Sequence, residues 1–123
     1  MPRTILVVED EPLVRLVIAE ALRDQGFRVV EAASADEAIL ALSAGLAVDL
    51  VFTDVRMPGA VDGLALASRL KRERPELPVL ITSGHLERLE GADTTAFIPK
   101  PYVLGEAVAR IAALLDPSSK ENI

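Results

Sequence analysis

Four short stretches of this chain carry groups able to do chemistry: Glu9-Asp10-Glu11, Asp54, Thr82-Ser83 and Lys100. Each lies at or just past the end of an apolar run: Ile5–Val8, Leu50–Phe52, Val79–Ile81 and Ala96–Ile98. If these runs are strands of one parallel sheet, every such group falls at its carboxyl edge, where open α/β folds keep their chemistry. Neighbouring strands lie ~4.8 Å apart, so pairing of the first and third would crowd Glu9, Asp10 and Asp54 together. At an effective dielectric near 20, each carboxylate pair ~5 Å apart repels by roughly 3 kcal/mol. A hard cation relieves that repulsion, and oxygen-only ligands at a partly hydrated site suit Mg²⁺. The plainer reading makes the same acids helix caps, since Asp and Glu are favoured in the first turn. Spacing alone leaves both readings open. A strand-terminal threonine is common for β-propensity, and a single lysine is ordinarily solvated, so neither speaks by itself. Taken jointly, a metal, a cation and a hydroxyl around one aspartate would form a phosphoryl site with Asp54 as nucleophile.

Composition removes several other chemistries. The chain has 123 residues, enough for one domain with a real core. Half are hydrophobic and only 3% aromatic, so the core must be built from Val, Leu, Ile and Ala. The net charge of −6 and pI near 4.8 argue against nucleic acid or an anionic membrane as main partner. With no cysteine there is no disulfide, thiolate catalysis or thiolate-bound metal. His85 is the single histidine and sits beside Gly84, which reads as an exposed side chain rather than a base or zinc ligand. Glycine-rich phosphate loops and Gly-x-Ser-x-Gly elbows are missing from the sequence. No leader pattern or bilayer-length apolar run occurs, and the expected location is the cytoplasm.

The elements that must position these groups follow from periodicity. Strands are expected at Thr4–Val8, which reads as buried, at Phe27–Glu31, where Arg28 breaks the apolar run, at Asp49–Thr53 and Pro78–Thr82, and as a short fifth at Ala96–Ile98. Pro12 suits a first helical turn, and the helix after it carries Leu13, Leu16, Val17, Ala21 and Leu22 at helical spacing up to a cap at Gly26. Ser34-Ala35-Asp36-Glu37 is a capping-box pattern opening a helix with Ala38, Ile39 and Leu42 inward and Gly45 at its end. Leu64, Leu66, Ala67 and Leu70 mark a helix stopping before Pro75. A last helix from about Val103 to Leu115 has Val108, Ile111, Leu114 and Leu115 as its stripe. Strands alternating with helices predict an α/β fold with one parallel sheet covered on both faces. Residues 1–117 form the expected domain, and 118–123 a frayed polar tail.

With those positions in hand, the chain resembles the receiver domain of bacterial two-component response regulators over essentially its whole length. The resemblance rests on Val7-Val8-Glu9-Asp10-Glu11-Pro12, on Asp54-Val55-Arg56-Met57-Pro58-Gly59 with Asp62-Gly63, on Thr82-Ser83-Gly84 and on Lys100-Pro101-Tyr102. It implies a flavodoxin-like (βα)5 three-layer sandwich with strand order 2-1-3-4-5. It also implies that Asp54 accepts a phosphoryl group from a phosphohistidine on a histidine kinase or histidine phosphotransfer protein. Mg²⁺ would be held by Asp10, Asp54 and the backbone carbonyl of Arg56, with Glu9 acting through water. Thr82 and Lys100 match the residues that read the phosphoryl group, and Phe97 matches the aromatic that moves with Thr82. The Lys100–Pro101 bond is cis in the family's usual form. Arg56 and Gly84 border the path of attacking water and are candidates for tuning phosphoryl lifetime.

Two departures from the family pattern stand out. The loop from Met57 to Gly63 is one residue longer than the commonest spacing. Only 17 residues separate Thr82 from Lys100, so the helix between the fourth and fifth strands must be short or mobile, within about His85–Glu90. That shortening argues against a dimer through the usual helix face, and a monomer or weak dimer is expected. No output domain follows Leu115, so the expected role is a stand-alone switch or phosphorelay shuttle, non-enzymatic apart from its own phosphorylation and dephosphorylation. The alternatives are a receiver module of a hybrid kinase or longer regulator, an aspartyl-phosphate phosphatase, or a flavin-binding domain. Arg56, standing where such phosphatases carry a second Asp, disfavours the first enzyme, and the acidic glycine-free Glu9–Pro12 loop disfavours a bound flavin phosphate.

Overall fold

A computed structural model of the chain describes residues 2–55, 62–84 and 96–116. Five strands, β1 (Thr4–Val8), β2 (Arg28–Ala32), β3 (Leu50–Asp54), β4 (Val79–Ser83) and β5 (Ala96–Pro99), form one parallel sheet in the order β2-β1-β3-β4-β5. Four helices are described: α1 (Pro12–Asp24), α2 (Ala35–Ser43), α3 (Gly63–Glu73) and α4 (Leu104–Leu115). This is the expected flavodoxin-like arrangement. The segment expected to hold a short helix between β4 and β5, and the tail after residue 116, lie outside the described residues.

The period-2 alternation of the central strands builds two cores. Leu6, Val8, Val51 and Ile81 point to one face and pack with Ala38 and Leu42 of α2 and Leu66 and Leu70 of α3. Ile5, Val7, Phe52 and Leu80 point to the other, against Ile18 and Leu22 of α1 and Ile111 of α4. β3 and β4 are buried at every position, as strands flanked on both sides and covered on both faces must be. Ser34 Oγ accepts from the Glu37 N–H at 3.1 Å to open α2, and Gly26 and Gly45 take positive φ just after α1 and α2.

Two expectations need correction. Three strands sit one residue further along than periodicity suggests, because the ladder runs until its partners end; β3 closes on Asp54 itself, paired with Thr82. The face of α1 is also reversed in part. Leu13, Leu16 and Val17 are 75%, 46% and 51% exposed, while Ile18, Ala19 and Leu22 face the sheet. Both stripes obey helical spacing, and only packing chooses between them.

Candidate functional site

Parallel register brings the chemical groups together. Val8 pairs with Thr53 and Asp54 with Thr82, and the Glu9 N–H continues the ladder to the Ala32 carbonyl at 3.0 Å. Glu9 and Asp10 therefore leave β1 beside the end of β3. One carboxylate oxygen from each of Glu9, Asp10 and Asp54 lies within 4.8 Å of the other two. Glu9 and Asp54 are buried, at 4% and 8% exposure, and Asp10 is half-buried.

Lys100 is held there by the Lys100 N–H bonding to the Ser83 carbonyl at 3.0 Å, which carries the β4–β5 ladder one step past β5. Its Nζ donates to Glu9 Oε1 at 2.9 Å and to Asp54 Oδ2 at 3.0 Å. The second Glu9 oxygen accepts from the Glu11 N–H at 3.1 Å. Burial raises the Glu9 carboxyl above its ordinary range, the charge of Asp54 adds to that, and the Lys100 and Glu11 hydrogen bonds only partly offset it. For Lys100, burial acts downward, but the hydrogen bonds and charges of Glu9 and Asp54 outweigh it and hold the ammonium well above its usual range.

Thr82 is 2% exposed, and its Oγ1 has no hydrogen-bond partner among the described residues. A buried hydroxyl left unpaired costs free energy, so this atom is suited to a partner that arrives later. Ser83 follows it, also buried, and Gly84 is exposed, with no described residue within 4 Å of where a Cβ would stand. Phe97 sits mid-strand in β5 opposite Ile81, half-buried against the α2–α3 core. The Lys100–Pro101 peptide is cis. Arg56 lies outside the described residues.

Three contributors carried no role in the reading of the sequence. A Cβ on Gly63 would overlap the Asp54 carbonyl oxygen, so only glycine lets α3 start against the end of β3, where the Gly63 N–H bonds Val55 O at 2.8 Å. Tyr102 packs edge-on to Phe52 with ring centres 5.7 Å apart, and burial, then the charges of Glu9 and Asp54, raise its phenol above the ordinary range. Arg15 of α1 reaches back to the Glu9 carbonyl. Gly63 and Tyr102 were visible as members of short motifs; Arg15 gave no signal, because its contacts are set by packing.

A groove of about 560 Å³ opens from Lys100 between α1 and the β5–α4 turn, lined by Leu13, Val14, Val17, Pro101, Tyr102 and Leu104. A second cavity, about 690 Å³ and lined by Arg3, Asp49, Arg74, Pro78 and Leu115 among others, lies at the opposite edge of the sheet, away from the acids. Among the described residues, no helix is long and apolar enough to cross a membrane.

Set against known proteins, residues 5–112 match the family model of the response regulator receiver domain. The transcriptional regulatory protein TcrA of Mycobacterium tuberculosis is 38% identical over 115 residues, covering 89% of this chain and 45% of that protein. The chain spans about half or less of the length of this and other curated relatives. Among solved structures, a response regulator receiver protein from Sinorhizobium medicae superposes with a TM-score of 0.87 at 28% identity, covering 94% of this chain and 96% of that one. The response regulator TrrA of Thermotoga maritima, solved in complex with Mg²⁺-BeF, superposes with a TM-score of 0.82 at 27% identity, covering 92% and 99%. Fold, strand-end acids and family match agree: the chain belongs to the response regulator receiver domain family.

Proposed function

We propose that Asp54 is a phosphoryl acceptor, supplied by a phosphohistidine on a histidine kinase or histidine phosphotransfer protein. The observation that carries this reading is the meeting of Glu9, Asp10 and Asp54 within 4.8 Å, bridged by Lys100, beside the unpartnered Thr82 hydroxyl. In the transfer, an Asp54 carboxylate oxygen bonds to phosphorus as the phosphorus–nitrogen bond of the donor imidazole breaks, and the ring nitrogen keeps the electron pair. Lys100 neutralises phosphoryl charge, and Thr82 donates its hydroxyl to a phosphoryl oxygen. The acyl phosphate carries about −1.5 to −2 charges where the carboxylate carried a single one, now spread over three phosphoryl oxygens, and the new partners draw the β4 and β5 ends inward. Phe97 follows the movement of Thr82, while Arg56 and Gly84 set how readily water reaches the acyl phosphate.

Three buried or half-buried carboxylates with oxygen-only donors fit Mg²⁺, with Asp10, Asp54 and the Arg56 carbonyl as ligands and Glu9 acting through water. When bound, the ion supplies charge neutralisation at the phosphoryl oxygens. That the Thermotoga relative was solved in complex with Mg²⁺-BeF supports, by similarity, a Mg²⁺ site in this chain. The exposed Leu13 and Val17 beside the site suit a protein donor better than a small one. The finer reading is a cytoplasmic, non-enzymatic switch, residues 1–117, acting through protein contacts as a monomer or weak dimer. Coverage of about half the length of its relatives favours, as second reading, a module of a longer regulator.

Acetyl phosphate or beryllofluoride with Mg²⁺ tests the proposal, read by intact mass and amide shifts. Uptake of one phosphoryl group that vanishes in Asp54→Ala is the expected result. Undiminished uptake without Asp54, or none in the unaltered chain, refutes it.

A further inference from the structure

We infer that Arg15 is a positioning residue for the Mg²⁺ site, an inference that rests on the metal reading above. Its Nη1 donates to the Glu9 carbonyl at 2.8 Å, and its Nε donates to Glu31 Oε1 at 3.3 Å. Glu31 is itself anchored on its other oxygen by Arg23 Nη2 at 3.1 Å, and that same nitrogen donates to the Val29 carbonyl at 3.2 Å. Arg15 and Glu31 keep side-chain exposures of only 20% and 28%, so the frame is partly shielded from water. It ties α1 and β2 to the Glu9–Asp10 peptide, just past the end of β1.

The position of that peptide is what matters. The Glu9 carbonyl and the Asp10 N–H belong to one rigid plane. Glu9 N is fixed by the Ala32 carbonyl, so a donor on Glu9 O fixes the next plane and with it the direction in which Asp10 leaves the strand. Beyond Ala32 the β2 ladder has ended, and Arg15 takes the place of a further ladder bond. An arginine has the planar fork that this task needs: one nitrogen for the carbonyl, another for Glu31.

Charge and positioning make opposite predictions. As a cation near a cation site, Arg15 would repel Mg²⁺, so a purely electrostatic role means tighter binding when it is removed. A positioning role means weaker binding, about tenfold for a group that orients a ligand. The test is Mg²⁺ titration of the EDTA-stripped chain, followed by the amide shifts of Glu9 and Asp10 and by Tyr102 fluorescence. Arg15→Met is expected to raise the Mg²⁺ dissociation constant about tenfold and to shift the Glu9 and Asp10 amides before any metal is added. Glu31→Gln, which leaves Arg15 in place, is expected to move both readouts in the same direction by less. Arg69→Met, which breaks the exposed Arg69–Glu73 pair on α3, leaves both unchanged. Binding by Arg15→Met or Glu31→Gln as tight as, or tighter than, the unaltered chain overturns the proposal while leaving the metal reading intact. Failure of the unaltered chain to bind Mg²⁺ overturns both.

Discussion

Replacing Lys100 by methionine removes the cation that sits between two buried acids, and its effect depends on whether metal is present. Lys100 Nζ lies 2.9 Å from Glu9 Oε1 and 3.0 Å from Asp54 Oδ2. At an effective dielectric near 20, each attraction is worth roughly 5 kcal/mol before desolvation is counted. Most of that is offset by burying the charges. Removing one partner of a buried pair nonetheless costs ~3–5 kcal/mol, because the remaining charge stays buried alone. Lys100 keeps 23% side-chain exposure, against 5% and 10% for its partners, which favours the lower end, about 3 kcal/mol. A domain of ordinary stability, ~5–15 kcal/mol, survives that loss. Urea unfolding in EDTA at pH 8 reads it directly. In saturating Mg²⁺ the loss is expected to fall to about 1.5 kcal/mol, since the carboxylates regain a counter-charge. Linkage then requires the variant to bind Mg²⁺ about tenfold more tightly, as 1.4 kcal/mol is a factor of ten. An equal loss with and without Mg²⁺, or weaker Mg²⁺ binding by the variant, would refute the idea that Lys100 holds the acidic cluster in the metal-free state.

Thr82→Val exchanges an unpartnered buried hydroxyl for a methyl, so the unphosphorylated chain is expected to gain about 1 kcal/mol in urea unfolding. The same variant is expected to lose the beryllofluoride-induced amide shifts of β4 and β5, and a destabilised variant would mean the hydroxyl is already engaged. Gly63→Ala places a methyl against the Asp54 carbonyl and 3.0 Å from Thr53 Oγ1, and is expected to cost about 2–3 kcal/mol, measured the same way; an unchanged midpoint counts against the close approach. Burial raises the Glu9 carboxyl, so its proton adds stability to the metal-free fold as pH falls through that raised value, and this is lost as pH rises. Mg²⁺ needs the carboxylate, so its affinity is expected to fall over the same descent, with proton release on binding that Glu9→Gln abolishes. Calorimetry in buffers of different ionisation enthalpy checks the release, and none detected near the raised value would contradict it.

The sequence by itself determined the sheet and the site's membership. Short β-branched apolar runs bounded by turn residues favour strands, and Glu9, Asp54, Thr82 and Lys100 are each tied to a strand end by chain connectivity. Their side chains therefore share one edge once the strands are parallel, whatever the helices do. Tertiary structure decided what periodicity leaves degenerate. α1 carries apolar residues on opposite sides, and contact with the sheet selects Ile18, Ala19 and Leu22, leaving Leu13 and Val17 beside the site. Strand ends shifted by one residue because a ladder stops where its neighbour stops, a property of the pair and not of either segment. Lys100 meets Glu9 across 91 positions, and Arg15 meets Glu31 through the angle at which α1 lies on β1 and β2. Such contacts depend on distances between elements, and no local pattern along the chain encodes those distances.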